Sequence, residues 1–140
     1  MEVFILKENL CKNCKKKIPK KNVFCDNFCQ GEFYYKEYIS KWKNGIVSGT
    51  SGKQYKDISN HIRRYLFEKY DNKCSKCGWG EENVYTGKIP LEIHHIDGNC
   101  CNNREENLDL LCPNCHSLTE NYGSRNKGNS KRYKKQQNKN

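Results

Sequence analysis

Residues 111–117 read LCPNCHS, so Cys112 and Cys115 flank two residues and His116 follows at once. The string C-x-x-C-H is the attachment signature of a c-type haem and also half of a four-cysteine zinc site. A second knuckle, Cys74-x2-Cys77, stands 34 residues earlier. Two such pairs can close a tetrahedral thiolate site around zinc. A haem would leave Cys74 and Cys77 without a role, and Met1 is the single methionine, which removes the common His/Met axial pair. Zinc therefore takes the four cysteines, and His116 stands free beside the closed site.

Working outward, the chain holds ten cysteines in 140 residues, with 34% hydrophobic content. So thin a core needs staples, either disulfides or metals. The opening MEVFILKENL has too short an apolar run for a signal peptide, and no stretch approaches the roughly 20 residues of a membrane span. The expectation is a cytoplasmic protein with no membrane partner, where reduced cysteine pairs indicate metal. Cys11-x2-Cys14 and Cys25-x3-Cys29 form a second quartet of zinc-finger type. Cys100 and Cys101 remain over as free thiols.

The elements follow from periodicity. Phe28, Tyr35, Ile39 and Trp42 recur at helical spacing over about 26–43, and Asn44-Gly45 ends that helix. The Gly/Ser-rich stretch 44–57 reads as a linker. A second helix, about 58–70, lays Ile58, Ile62, Leu66 and Tyr70 on one side, with Arg63 and Arg64 off that stripe. LEIHHIDGN (91–99) predicts a strand ended by Asp97-Gly98-Asn99. A polar loop, a short strand LDLL (108–111) and a helix opened by Pro113 follow. His94 and His95 thus lie on the first strand and His116 on the helix, with a zinc knuckle at each end of the unit.

The set LEIHHIDGN…NNREENLDLLCPNCHSLT, with both C-x-x-C pairs, resembles the HNH endonucleases of the ββα-metal superfamily in their zinc-stapled phage and bacterial form. The resemblance covers about residues 58–127. It implies a small α+β fold: a ββα-metal nuclease unit stapled by a four-cysteine zinc site and preceded by a zinc finger and helices. The division expected is a finger plus helix (1–43), a linker (44–57), the HNH domain (58–122) and a basic, disordered tail (123–140).

By that resemblance His95 is the general base that takes a proton from water, and Asn107 holds the loop and orients the base. His94 and His116 ligate one catalytic Mg²⁺ or Mn²⁺. Some relatives carry a further histidine one turn after the last; Glu120 stands there instead. The chemistry is suited to phosphodiester hydrolysis. A histidine near its ordinary pKa of about 6.5 serves as base at neutral pH, and a divalent cation relieves charge on phosphate and leaving oxygen. Adjacent residues on a strand face opposite ways, so the strand must end or bulge for His94 and His95 to serve one site.

Charge distribution points to a polyanionic partner. Residues 1–31 and 32–73 each carry a net +4 and residues 123–140 a net +7, whereas 74–122 carries −5. Each four-thiolate zinc centre adds a further net −2. The basic flanks, with Arg63, Arg64, Arg125, Lys127, Lys131 and Arg132, are the expected contacts to double-stranded DNA. Homodimer formation and a phage packaging partner stay open. The alternative is a non-catalytic zinc-finger DNA-binding or regulatory protein built on a degenerate HNH unit.

Overall fold

Helix α1 (Asn27–Lys43) begins where Asp26 Oδ1 accepts the Cys29 backbone N–H at 2.7 Å, satisfying one of the helix's orphan donors. It ends at Gly45, whose φ of +72° lets the chain reverse: Gly45 N–H donates to the Trp42 carbonyl and Ile46 N–H to that of Lys41. The computed structural model describes residues 8–51 and 57–126. The chain divides into two compact units, residues 1–40 and 41–140.

The first unit is organised around the first cysteine quartet. Its knuckle turns at Lys15 (φ +63°), with Lys15 N–H returning to the Cys11 carbonyl. Phe24, Phe33 and Tyr34 pack together with centroids 5.4–5.9 Å apart, Tyr34 edge-on to both phenylalanines and the two phenylalanines tilted to one another. The expected apolar stripe of α1 is covered only in part. Tyr35 and Trp42 are buried, but Phe28 is 74% exposed. The buried Cys29, next in the chain, takes the inward direction in that first turn.

In the second unit, the stretch 44–57 read as a linker proves partly structured. Strands β1 (Thr50–Ser51) and β2 (Asp57–Ile58) pair antiparallel, and residues 52–56 between them lie outside the described residues. Gly49 explains why: its Ser59-bound carbonyl and its φ of +79° place it against Ile62, where a Cβ would come within 2.5 Å of Cδ1. A flexible linker could not be so confined. Helix α2 (Asn60–Lys69) is capped by Ser59, whose hydroxyl accepts the His61 N–H, and buries Ile62 and Leu66 completely. Ile58 belongs to β2 and Tyr70 to the helix cap, so the helix is shorter than its apolar stripe.

Strands β3 (Glu92–His95) and β4 (Leu108–Leu111) pair antiparallel, with Glu92 opposite Leu111 and His95 opposite Leu108. Helix α3 (Pro113–Ser117) follows directly, its first position filled by Pro113. The core is shared between apolar side chains and the second quartet. Cys74, Leu91, Leu110, Leu111, Cys112 and Cys115 form one buried cluster, with Phe67, Tyr70 and Trp79 packed against it. Among the described residues the result is a small α+β protein of few helices and two two-stranded sheets.

Candidate active site

Each quartet gathers four thiols whose sulfurs lie within 4.8 Å of one another: Cys11, Cys14, Cys25 and Cys29 in the first unit, Cys74, Cys77, Cys112 and Cys115 in the second. A tetrahedral zinc with Zn–S bonds of about 2.3 Å requires sulfur–sulfur edges of about 3.8 Å. Cys14 and Cys25 are 3.7 Å apart, and Cys77 and Cys112 3.8 Å. The residues present therefore fit zinc. Burial raises the Cys74 thiol, but backbone N–H donors of Cys112, Cys77 and Lys76 outweigh it and bring it down to about 6. The Cys77 thiol, then burial, pushes Cys115 up to about 12.

The second quartet fixes where the histidines stand. Cys112 is the N-cap of α3, its sulfur accepting the Cys115 N–H at 3.4 Å, so the metal knuckle and the helix start are one structure. His116 follows on that helix. Ser75 N–H donates to the Leu110 carbonyl at 2.8 Å, which joins the other knuckle to β4.

His94 and His116 are brought together, with ring centroids 5.2 Å apart. His94 is buried, and burial, followed by the neighbouring His116, holds its imidazole below the usual range. Such a shift favours the neutral ring, in which one nitrogen carries a free lone pair. His116 Nδ1 is hydrogen-bonded to Glu92 Oε2, and Tyr122 packs edge-on against the same ring at 5.1 Å. Glu92 lies two residues before His94, on the same face of β3. Alternation along the strand alone did not single it out, since it says nothing of what α3 places above that face.

His95 is the last ladder residue of β3, and the four pairs run without a bulge. The strand thus ends, and the chain turns back through Gly98 N–H to the His95 carbonyl at 2.9 Å. The His95 ring meets Asn103: Nε2 and Oδ1 are 2.8 Å apart. Asn107 works on the loop. Its Nδ2 donates to Asp97 Oδ1 at 2.9 Å and to the Asn102 carbonyl at 2.7 Å, while its Oδ1 accepts the Asp97 N–H at 3.0 Å. Sequence reasoning missed Asn103 because it stands in a run of polar loop residues with nothing to separate it from Asn102.

The remaining residues divide. Arg63 and Arg64 are exposed on α2, with Arg64 Nε 2.7 Å from Glu68. Arg125 lies in a short 3-10 turn (Gly123–Arg125) and donates to the Ser117 carbonyl at 2.6 Å, and Asn126 Nδ2 donates to the Gly98 carbonyl at 2.8 Å. The first residues of the tail are therefore ordered. Lys127, Lys131 and Arg132 lie outside the described residues. Cys100 and Cys101 have sulfurs 3.9 Å apart and join neither quartet. Glu120 is exposed. Among the described residues no helix is long and apolar enough to cross a membrane.

Fold and site define a small α+β protein with two cysteine quartets that could hold zinc and a histidine cluster beside one of them. The chain is similar to the H-N-H endonuclease F-TflIV of Escherichia phage T5, at 38% identity over 96 residues, covering 66% of this chain and 40% of that protein. It is also similar to the Zorya protein ZorE of Escherichia coli, at 29% identity over 120 residues, 76% of this chain and 31% of that one. The chain thus spans less than half the length of either curated relative. The resemblance to HNH endonucleases is thus shared with a relative bearing that name. No family model matches the chain, and no solved structure matches it.

Proposed function

We propose that the protein is a metal-dependent endonuclease that hydrolyses phosphodiester bonds of double-stranded DNA, by nicking or by cutting both strands. In this reading β3, β4 and α3 are the ββα-metal unit. The observation that carries it is the pairing of His94 with His116 beside a four-thiol zinc site, with His95 next in the chain and held by a separate partner. His94 and His116 hold one Mg²⁺ or Mn²⁺. That cation supplies Lewis-acid stabilisation of the phosphate and the leaving 3′-oxygen when bound. His95 accepts the proton of the attacking water, as a neutral imidazole can at pH 7. Asn107 keeps the 97–102 loop closed behind it, and Glu92 orients the His116 ring.

DNA is held by phosphate contacts that carry no sequence information, supplied by Arg63, Arg64, Arg125 and the basic segment after it. The similarity to a protein named as an endonuclease supports a nucleic-acid substrate. The test is direct. Supercoiled plasmid incubated with zinc-loaded protein and Mg²⁺ or Mn²⁺ should be nicked or linearised, and EDTA should stop the reaction. Ligation and sequencing of the products then map the ends. Retention of plasmid without cleavage under every divalent cation would instead favour the binding or regulatory protein.

A further inference from the structure

We propose that Asn103 is a positioning residue for His95: its side-chain carbonyl accepts the His95 Nε2–H and leaves the lone pair on Nδ1. The proposal rests on the reading of His95 as the base, and the hydrogen bond itself does not. A neutral imidazole carries one N–H and one lone pair, and the partner of one nitrogen settles the state of the other. Asn103 Oδ1 lies 2.8 Å from His95 Nε2, so an oxygen that can only accept fixes the proton there.

Asn103 is built in, not draped on the surface. It is 3% exposed, and its backbone carbonyl accepts the Trp42 indole N–H at 2.6 Å. Gly49 closes the remaining side: a Cβ there would come within 3.1 Å of both Asn103 Cβ and Trp42 Nε1. The residue is thus held by Trp42 and Gly49 at its backbone and Cβ, with its amide oxygen on His95. Its Nδ2 is buried and has no hydrogen-bond partner among the described residues. A buried donor left unpaired is unfavourable, and here the side chain is oriented by what its oxygen does. Turned over, the amide would donate to Nε2 and force the imidazole proton onto Nδ1, removing the base.

The two arrangements are distinguished by the His95 tautomer, read from long-range ¹H–¹⁵N correlation spectra of the zinc-loaded full chain. The Nε2–H form is expected in the wild type. Asn103→Leu should give a mixture with the Nδ1–H form. Asn103→Asp should restore Nε2–H, because an ionised carboxylate, like the amide oxygen, can only accept. Cleavage of plasmid with Mn²⁺ supplies the second reading. The Leu variant should fall on the order of 10²-fold in kcat with KM and zinc content unchanged, as a misplaced base does, and the Asp variant should recover most of that deficit. An Nδ1–H wild type overturns the proposal, as does a Leu variant with the wild-type tautomer and rate. If the Leu variant does not fold, the wild-type tautomer and the Asp variant decide. A wild type inactive with Mg²⁺ and Mn²⁺ overturns the nuclease reading, while the tautomer still decides the Asn103 contact.

Discussion

Two adjacent histidines on one strand meet different partners, and that separation is the main lesson at the scale of the residue. His94 lies against His116, whereas His95 meets Asn103. Their removal should therefore have different consequences. In the proposed mechanism His95→Ala removes the base and should slow cleavage on the order of 10²–10⁴-fold, with zinc content and DNA affinity intact. His116→Ala removes a cation ligand and should be partly rescued by excess Mn²⁺. The measurement is cleavage rate against metal concentration, and rescue of the His95 variant by metal would reverse the assignment. Asn107→Ala deletes three hydrogen bonds and leaves Asp97 N–H without its acceptor. It should cost about 1–3 kcal/mol in stability, read from the midpoint of urea unfolding. A midpoint equal to wild type would mean that the loop does not depend on Asn107.

At the scale of the element, Glu105 joins the helices of the second unit to the loop between β3 and β4. Tyr65 Oη donates to its Oε1 at 2.6 Å, Lys69 Nζ lies 3.0 Å from the same oxygen, and Lys43 Nζ lies 3.6 Å from Oε2. Burial works to raise its pKa, but the Tyr65 and Lys69 contacts prevail and lower it. A carboxylate depressed in the folded state stabilises above its unfolded pKa of about 4.3, and that contribution fades as pH falls through the lower folded value. Glu105→Gln should therefore be less stable than wild type at pH 7, and the gap should close toward pH 3. Thermal unfolding at a series of pH values checks this; a constant gap would sink it. The helices also show how far periodicity reaches. The stripe of α1 marked Tyr35 and Trp42 correctly as inward, but Phe28 stays exposed because covering a helix turn depends on what packs beside it.

At the scale of the whole molecule, metal and charge dominate. Two four-thiol groups of zinc dimensions predict two zinc ions per chain. Elemental analysis should find both. Chelation, or serine at Cys74, Cys77, Cys112 or Cys115, should unfold the second unit, since the four thiols converge on one zinc-sized site and three of them, Cys74, Cys112 and Cys115, form part of its core. Soluble, folded protein with one zinc or none would contradict this. For the basic segment, the hydrogen bonds of Arg125 and Asn126 place the proper truncation after residue 126. Removing residues 127–140 takes away six positive charges and should weaken DNA binding for every sequence. The slope of log K against log salt should flatten by about 0.9 for each phosphate that is no longer neutralised, and an unchanged slope would show that the segment only solubilises.

The sequence by itself determined the two cysteine quartets, the strand–strand–helix order and the two ends of α1. Each of these rests on residues near one another in the chain: a C-x2-C turn, a capping Asp26, a Gly45 stop, a Pro113 start. Periodicity likewise marked Ile62 and Leu66 as inward, since a helix repeats on its own. Only the tertiary structure decided which groups touch the histidines. Glu92 reaches His116 across 24 residues, and Asn103 is selected from its polar run by Trp42 and Gly49, which lie more than fifty residues earlier. The same holds for the stretch 44–57, which reads as a linker until Gly49 is pressed against Ile62. Such contacts depend on sheet register and on what fills the space beside a loop, and neither is written in local residue type.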